Sequence, residues 1–221
     1  MSQISSDSVL TRTKSDRPVR TLPGTTSPPE FCLIGIDDLL NNRATTSVAD
    51  LEHGRLNAWG NSFPAEELPE PGTLVEVAGI PFQWANAHAE GDNVRCEGQL
   101  IDIPSRPYDW IYLLAASERR GDSTLWAHYE DGHSDPLRVG VSDFLDGTPA
   151  FGEVPAFRTR RMHYPHHVQQ GLPTTMWLTR VGMPRAGSAR ALRLPRSVAL
   201  HVFAVTLLTG IDARLAEGTA I

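Results

Sequence analysis

The sequence predicts an all-β protein, a two-sheet antiparallel β-sandwich of jelly-roll type. Three observations carry this. Ile101, Ile103, Ile111, Leu113, Leu125, Ala127 and Tyr129 recur at period two, the spacing of half-buried strands. Turn signals such as Asp131-Gly132 separate short apolar runs at intervals of about eight to twelve residues, as in sandwiches and barrels. The chain also carries 18 Gly and 17 Pro, breakers that suit many short strands and interrupt helices.

Residues 91–143 are the organising stretch. They divide into GDNVRCEGQLIDIP, YDWIYLLAAS, TLWAHYEDG and LRVGVSDF, four β-type runs with turns between them. Before this stretch, residues 31–36 (FCLIGI) form a buried first strand. The polar segment 44–54 reads as a loop. Residues 57–62 form a Gly- and Asn-rich turn around Trp59. Residues 74–77 and 80–84 form two strands joined at Ala78-Gly79. After it, residues 145–157 read as a loop, and within the Arg- and His-dense segment 158–173 residues 162–167 read as another. Residues 174–181, 189–194 and 198–208 are strands, the last a long apolar closing strand. Trp110, Trp126 and Trp177 lie within strand runs and are expected in the core.

The domain expected from this patterning spans residues 30–210. Residues 1–29 are rich in Ser, Thr, Pro, Arg and Lys and can bury little, so they read as a disordered or loosely attached arm. Residues 211–221 read as a tail, a short helix or disordered. The net charge of −6 argues against non-specific binding to nucleic acid or anionic membrane. The first thirty residues hold no apolar signal-peptide core, and no run reaches the length of a membrane span, so the expectation is a soluble cytoplasmic protein. Cys32 and Cys96 are expected as free thiols in apolar settings, with a disulfide between them left open.

The order of LLNNRATT, GRLNAWGNSFPAEELP, PGTLVEVAGIPFQW, GDNVRCEGQLIDIP, YDWIYLLAAS, WAHYEDG, VSDF, ARALRLP and LHVFAVT resembles a galactose-binding-like β-sandwich over residues 31–209. Such domains occur as accessory carbohydrate-binding modules of bacterial glycoside hydrolases. The resemblance implies two antiparallel sheets. It also implies a structural calcium near the strand ends that follow the first strand, around Asn41, Asn42 and Asn57. At Asn57 this chain has an amide where the family carries an acid, which weakens a site for a hard cation.

Two functional readings follow. The first is a binding domain for a small-molecule or glycan ligand. Its contacts are Trp59, Asn57, Asn61 and Tyr164, because sugars stack on aromatic faces and amides bond hydroxyls. The second is a stand-alone biosynthetic enzyme, of cyclase or isomerase type, on a repurposed sandwich. There a loop histidine, His163, His166 or His167, acts as general acid or base, since imidazole titrates near neutral pH. Both readings place the site where the 57–62 and 162–167 segments meet. Asp92-Asn93 reads as a turn, with cation or hydroxyl binding as the alternative.

Overall fold

Central strands in a covered sheet carry continuous apolar runs, because both of their faces meet other layers. The run ALHVFAVTLL near the C-terminus is of this kind, and it becomes the axis of the fold. The computed structural model describes residues 29–88 and 91–210. Residues 1–28 of the expected arm (1–29) and the tail (211–221) lie outside these described residues.

The strands are β1 (Glu30–Ile34), β2 (Thr45–Thr46), β3 (Phe63–Pro64), β4 (Leu74–Val77), β5 (Ile80–Gln83), β6 (Val94–Glu97), β7 (Leu100–Arg106) and β8 (Trp110–Ser117). They continue as β9 (Gly121–Tyr129), β10 (Ser134–Val141), β11 (Val154–Arg158), β12 (Arg161–Tyr164), β13 (His167–Gln170), β14 (Thr175–Gly182), β15 (Ala189–Arg193) and β16 (Arg196–Thr209). Helix among the described residues is limited to two single 3₁₀ turns, Asp37–Leu39 and Ala65–Glu67.

A six-stranded sheet runs β1-β16-β8-β14-β11, with β6 also paired to β16, and packs on a four-stranded sheet, β10-β9-β15-β7. All these pairings are antiparallel. The alternating residues fill the space between the sheets: Ile111, Leu113 and Ala115 from one side meet Leu125, Ala127, Tyr129 and Val139 from the other. The expected all-β sandwich is the fold of this chain.

A second core lies on the opposite face of the six-stranded sheet. Leu114, Ala116, Met176, Leu178 and Phe203 point outward there and are covered by Leu56, Phe63, Phe82, Trp84 and Met162. The cover comes from two excursions, residues 44–84 and the β12–β13 hairpin. Trp84 stacks on Phe203 at 5.8 Å, and Phe63 meets Phe203 edge-on at 6.0 Å. Offset and edge-on aromatic pairs contribute beyond their buried area. Thr206 Oγ1 donates to the Pro81 carbonyl at 2.7 Å, tying β5 to β16. The β4–β5 hairpin turns at Ala78 and Gly79, both at positive φ, as a two-residue hairpin turn requires.

Several expectations are corrected. Residues 162–167 are not a loop: His163 and Tyr164 end β12, and His167 begins β13. Residues 154–158 are a strand, and the 44–54 segment contains β2. Trp177 is buried, but Trp126 is 39% exposed on the outer face of the four-stranded sheet and Trp110 only half-buried. Both cysteines are free. Cys32 pairs with Leu207 and Cys96 with Ser197, ten residues apart along β16. That puts them roughly 30 Å apart at ~3.3 Å per residue, far beyond disulfide reach.

The Gly91-Asp92-Asn93 turn clamps the first excursion onto the sheet. Asp92 accepts the amides of Ala44 and Thr45, both at 2.9 Å, the Thr45 hydroxyl at 2.6 Å and the Asn93 amide at 2.7 Å. A Cβ at position 91 would stand 2.3 Å from the Asn42 carbonyl oxygen, so only glycine allows this approach. Asp92→Ala is expected to lower unfolding free energy by about 3–5 kcal/mol, since it strands several buried donors at once. Urea titration of the variant against the parent measures this.

Candidate functional site

The two segments expected to form the site do meet. Ser62 and His163 exchange backbone hydrogen bonds at 3.0 and 3.1 Å, which seats the end of the 57–62 turn on β12. Gly60, at φ +73, lies so close to Pro165 that a Cβ would be 2.9 Å from its Cγ. The turn itself is shaped by Asn57, whose Oδ1 accepts the amides of Trp59 and Asn61, both at 3.1 Å. Asx side chains make such turns because the amide oxygen can replace a backbone acceptor. Asn57 and Asn61 are buried, whereas Trp59 is 74% exposed at the tip.

Beneath this junction lies a buried polar cluster. Thr46 Oγ1 is 2.7 Å from Ser62 Oγ and 2.9 Å from His163 Nδ1. His163 is fully buried, and its Nε2 has no hydrogen-bond partner. The residues are those of a hydroxyl nucleophile and base, but none is open to a substrate, so the cluster's geometry serves to fix the junction. Burial lowers the His163 pKa below the usual histidine range, against the opposing pull of Glu66. Glu66 accepts the Val48 amide at 2.9 Å, and Glu67 pairs with Arg161 at 3.0 Å, so the 3₁₀ turn carrying them ties β12 to the 44–54 segment.

A groove of about 460 Å³ opens between the 48–53 loop and the Pro165-His166 turn. Asp50, Glu52 and His53 line one side and His166 the other. Asp50 holds Arg43 at 3.1 Å and also bonds His53 Nδ1, while Glu52 is 3.6 Å from His166 Nδ1. Tyr164 and His167 stack at 4.7 Å, nearly parallel, across the hairpin. Of the three candidate histidines, His166 alone lines this groove. The acidic side of the groove lies in a segment that the sequence offered only as a polar loop.

The residues around the expected calcium site do not fit a hard cation. Asn41 exchanges hydrogen bonds with the Arg95 backbone at 2.7 and 3.1 Å. Asn42 Nδ2 points to Asn93 Oδ1 and to His201 Nδ1, at 3.4 and 3.3 Å. Asn57 Oδ1 is taken by two amides, as described, and the nearby carboxylate of Asp92 by four donors. Calcium would need about six to eight free oxygens. The clamp thus does with hydrogen bonds what a bound ion does in holding a strand end.

A family model described as the AziU2-like beta-sandwich domain matches residues 36–210. The chain belongs to this family. Its match starts two residues after β1 and ends just after β16, so it covers the second core, the candidate groove and the first core apart from β1. No curated protein matches the chain. No helix among the described residues is long and apolar enough to cross a membrane.

Because the folded state resists protonating His163, the unfolded state binds that proton more readily. Stability is therefore present above the unfolded pKa of about 6.5 and is lost as pH falls below it toward the folded value. His163→Asn, whose amide can reach Thr46, is expected to flatten the dependence of melting temperature on pH between about 7 and 5. Calorimetric scans of parent and variant across that range check it.

Proposed function

We propose that this AziU2-like domain binds a small polar, sugar-like ligand at the end of the sandwich where the 57–62 turn meets the β12–β13 hairpin. The observation that carries this is the exposed indole of Trp59. It stands on a turn fixed by Asn57, whose Gly60 presses against Pro165, and Pro165 lines a groove with two carboxylates on its wall. An indole face stacks on the C–H face of a ring, and carboxylates accept hydrogen bonds from its hydroxyls. A rigid loop on a packed scaffold lowers the ordering cost of binding. This reading keeps the carbohydrate-binding character that the sequence resemblance implied and keeps Trp59 as the anchor, with different polar contacts. Asn57 and Asn61 build the turn, and Asp50, Glu52 and His166 supply polar contacts.

A catalytic use of the same groove has one observation in its favour, the pairing of His166 with Glu52 across it. A carboxylate 3.6 Å from an imidazole nitrogen can orient the ring. In that case His166 is the acid or base, with His163 beneath it holding the hairpin in place.

Trp59→Ala should weaken glycan or polyol affinity by about 1–3 kcal/mol without changing the melting temperature, as removal of an aromatic anchor does. His166→Ala should weaken binding modestly if the site only binds. It should slow turnover by roughly 10²–10⁴ if the site is catalytic. Glycan-array screening followed by calorimetric titration of the two variants decides between them. Binding and turnover equal to the parent in both would remove this groove from the function.

A further inference from the structure

The outer face of the four-stranded sheet holds a second aromatic site, built differently from the first. Leu125 and Ala127 point into the core, which sends Trp126 outward from the middle of β9. In register across the sheet, Trp126 faces Pro136 on one side and Arg193 on the other, and Leu100 lies beyond Arg193. A cavity of about 350 Å³ opens beside the indole, lined by Ser123, Thr124, Arg193 and Arg196.

The charge of this face runs against that of the chain. The chain is net acidic. Yet Arg190, Arg193 and Arg196 come from one short segment, and among the described residues no carboxylate lies within ion-pair distance of any of them. Asp122, on the same face, is engaged by Arg138, and Asp102 and Glu97, in register with Ala191 and Arg196, form no ion pair with the three arginines. Arg193 Nη1 donates to the Gly98 carbonyl at 3.3 Å, and the Arg196 side chain packs against the same glycine. The two guanidinium stems are thus held over one spot next to the indole. Burial, and then the charges of Arg193 and Arg190, lower the His128 pKa one strand position away, in keeping with a positive field there.

We propose that this face binds a small nucleotide-like molecule, a planar ring joined to a phosphate. The ring stacks on Trp126, the phosphate meets Arg193 and Arg196, and the Thr124 hydroxyl bonds the linking sugar. Arginine suits the anion because its planar fork matches phosphate oxygens. Indole stacking is tolerant of which ring is present. The cavity holds one ring and its phosphate rather than an extended strand, and the overall acidity opposes a polyanion.

The test is an NMR titration of the full chain with adenosine diphosphate, following the Trp126 indole N–H resonance, assigned by its loss in Trp126→Phe. A saturable shift of that resonance is expected, with inorganic phosphate competing weakly. Trp126→Ala should weaken binding about 5- to 100-fold. Arg193→Gln with Arg196→Gln leaves the indole in place and should weaken it by at least about tenfold. The same double variant should also flatten the salt dependence of binding. If the diphosphate leaves the resonance unmoved, or if the double arginine variant binds as the parent does, the proposal fails. Tighter binding of a single-stranded oligonucleotide than of the diphosphate would overturn its small-molecule form.

Discussion

Strand β16 is buried on both faces from residue 200 to residue 208, and everything else in the molecule answers to that constraint. A sandwich of two sheets covers only one face of each. The six-stranded sheet carries Leu114, Ala116, Met176, Leu178 and Phe203 on its other face, and leaving them in water would forfeit several kcal/mol of transfer free energy. The chain covers them with two excursions from the sandwich, and the junction of those excursions is the candidate groove. The site is thus placed by the need to close a second core, with Trp59 held out from the very segment that closes it.

The covering layer has little regular structure of its own, so polar contacts hold it. Asp92 takes four donors from the Ala44-Thr45 corner and Asn93. Ser62 and His163 join the two excursions through backbone bonds, and Thr46 bonds both of their side chains. Glu66 and Glu67 pin the 48 position and β12. Buried networks of this kind stabilise when satisfied and are costly when broken, which makes them rigid. Rigidity is what an exposed aromatic needs to act as an anchor. The two exposed indoles stand in different settings: Trp59 on the turn that abuts Pro165, Trp126 beside Arg193 and Arg196.

The sandwich was legible because period-two alternation survives wherever one face is core and the other is not. It weakens in the covering layer. β12 and β13 carry Arg, His and Gln on short strands paired mainly with one another, so RMHY and HVQQ look like a polar loop. In β11 the sequence VPAFR hides a strand behind a proline and a register shift at Pro155. Trp126 lies in a strand run yet faces out, because Leu125 and Ala127 on either side face in and alternation then excludes it from the core. Asn57 and Asn61 had the right place and a different task, since an amide in a tight turn serves its own backbone before any ligand. The groove's carboxylates left no pattern, because Asp50 and Glu52 gain meaning only once the hairpin packs opposite them.

The central claim is that the covering layer folds as one unit with the six-stranded sheet, so that the groove is preformed. Native-state amide hydrogen exchange tests this at Ala44, Thr45, Ser62 and His163, whose N–H groups make the clamping bonds. The account predicts opening free energies within about 1 kcal/mol of those for the central amides of β8 and β16, all reached through global unfolding. Exchange at these four amides through small local openings, several kcal/mol below the global value and insensitive to denaturant, would contradict it.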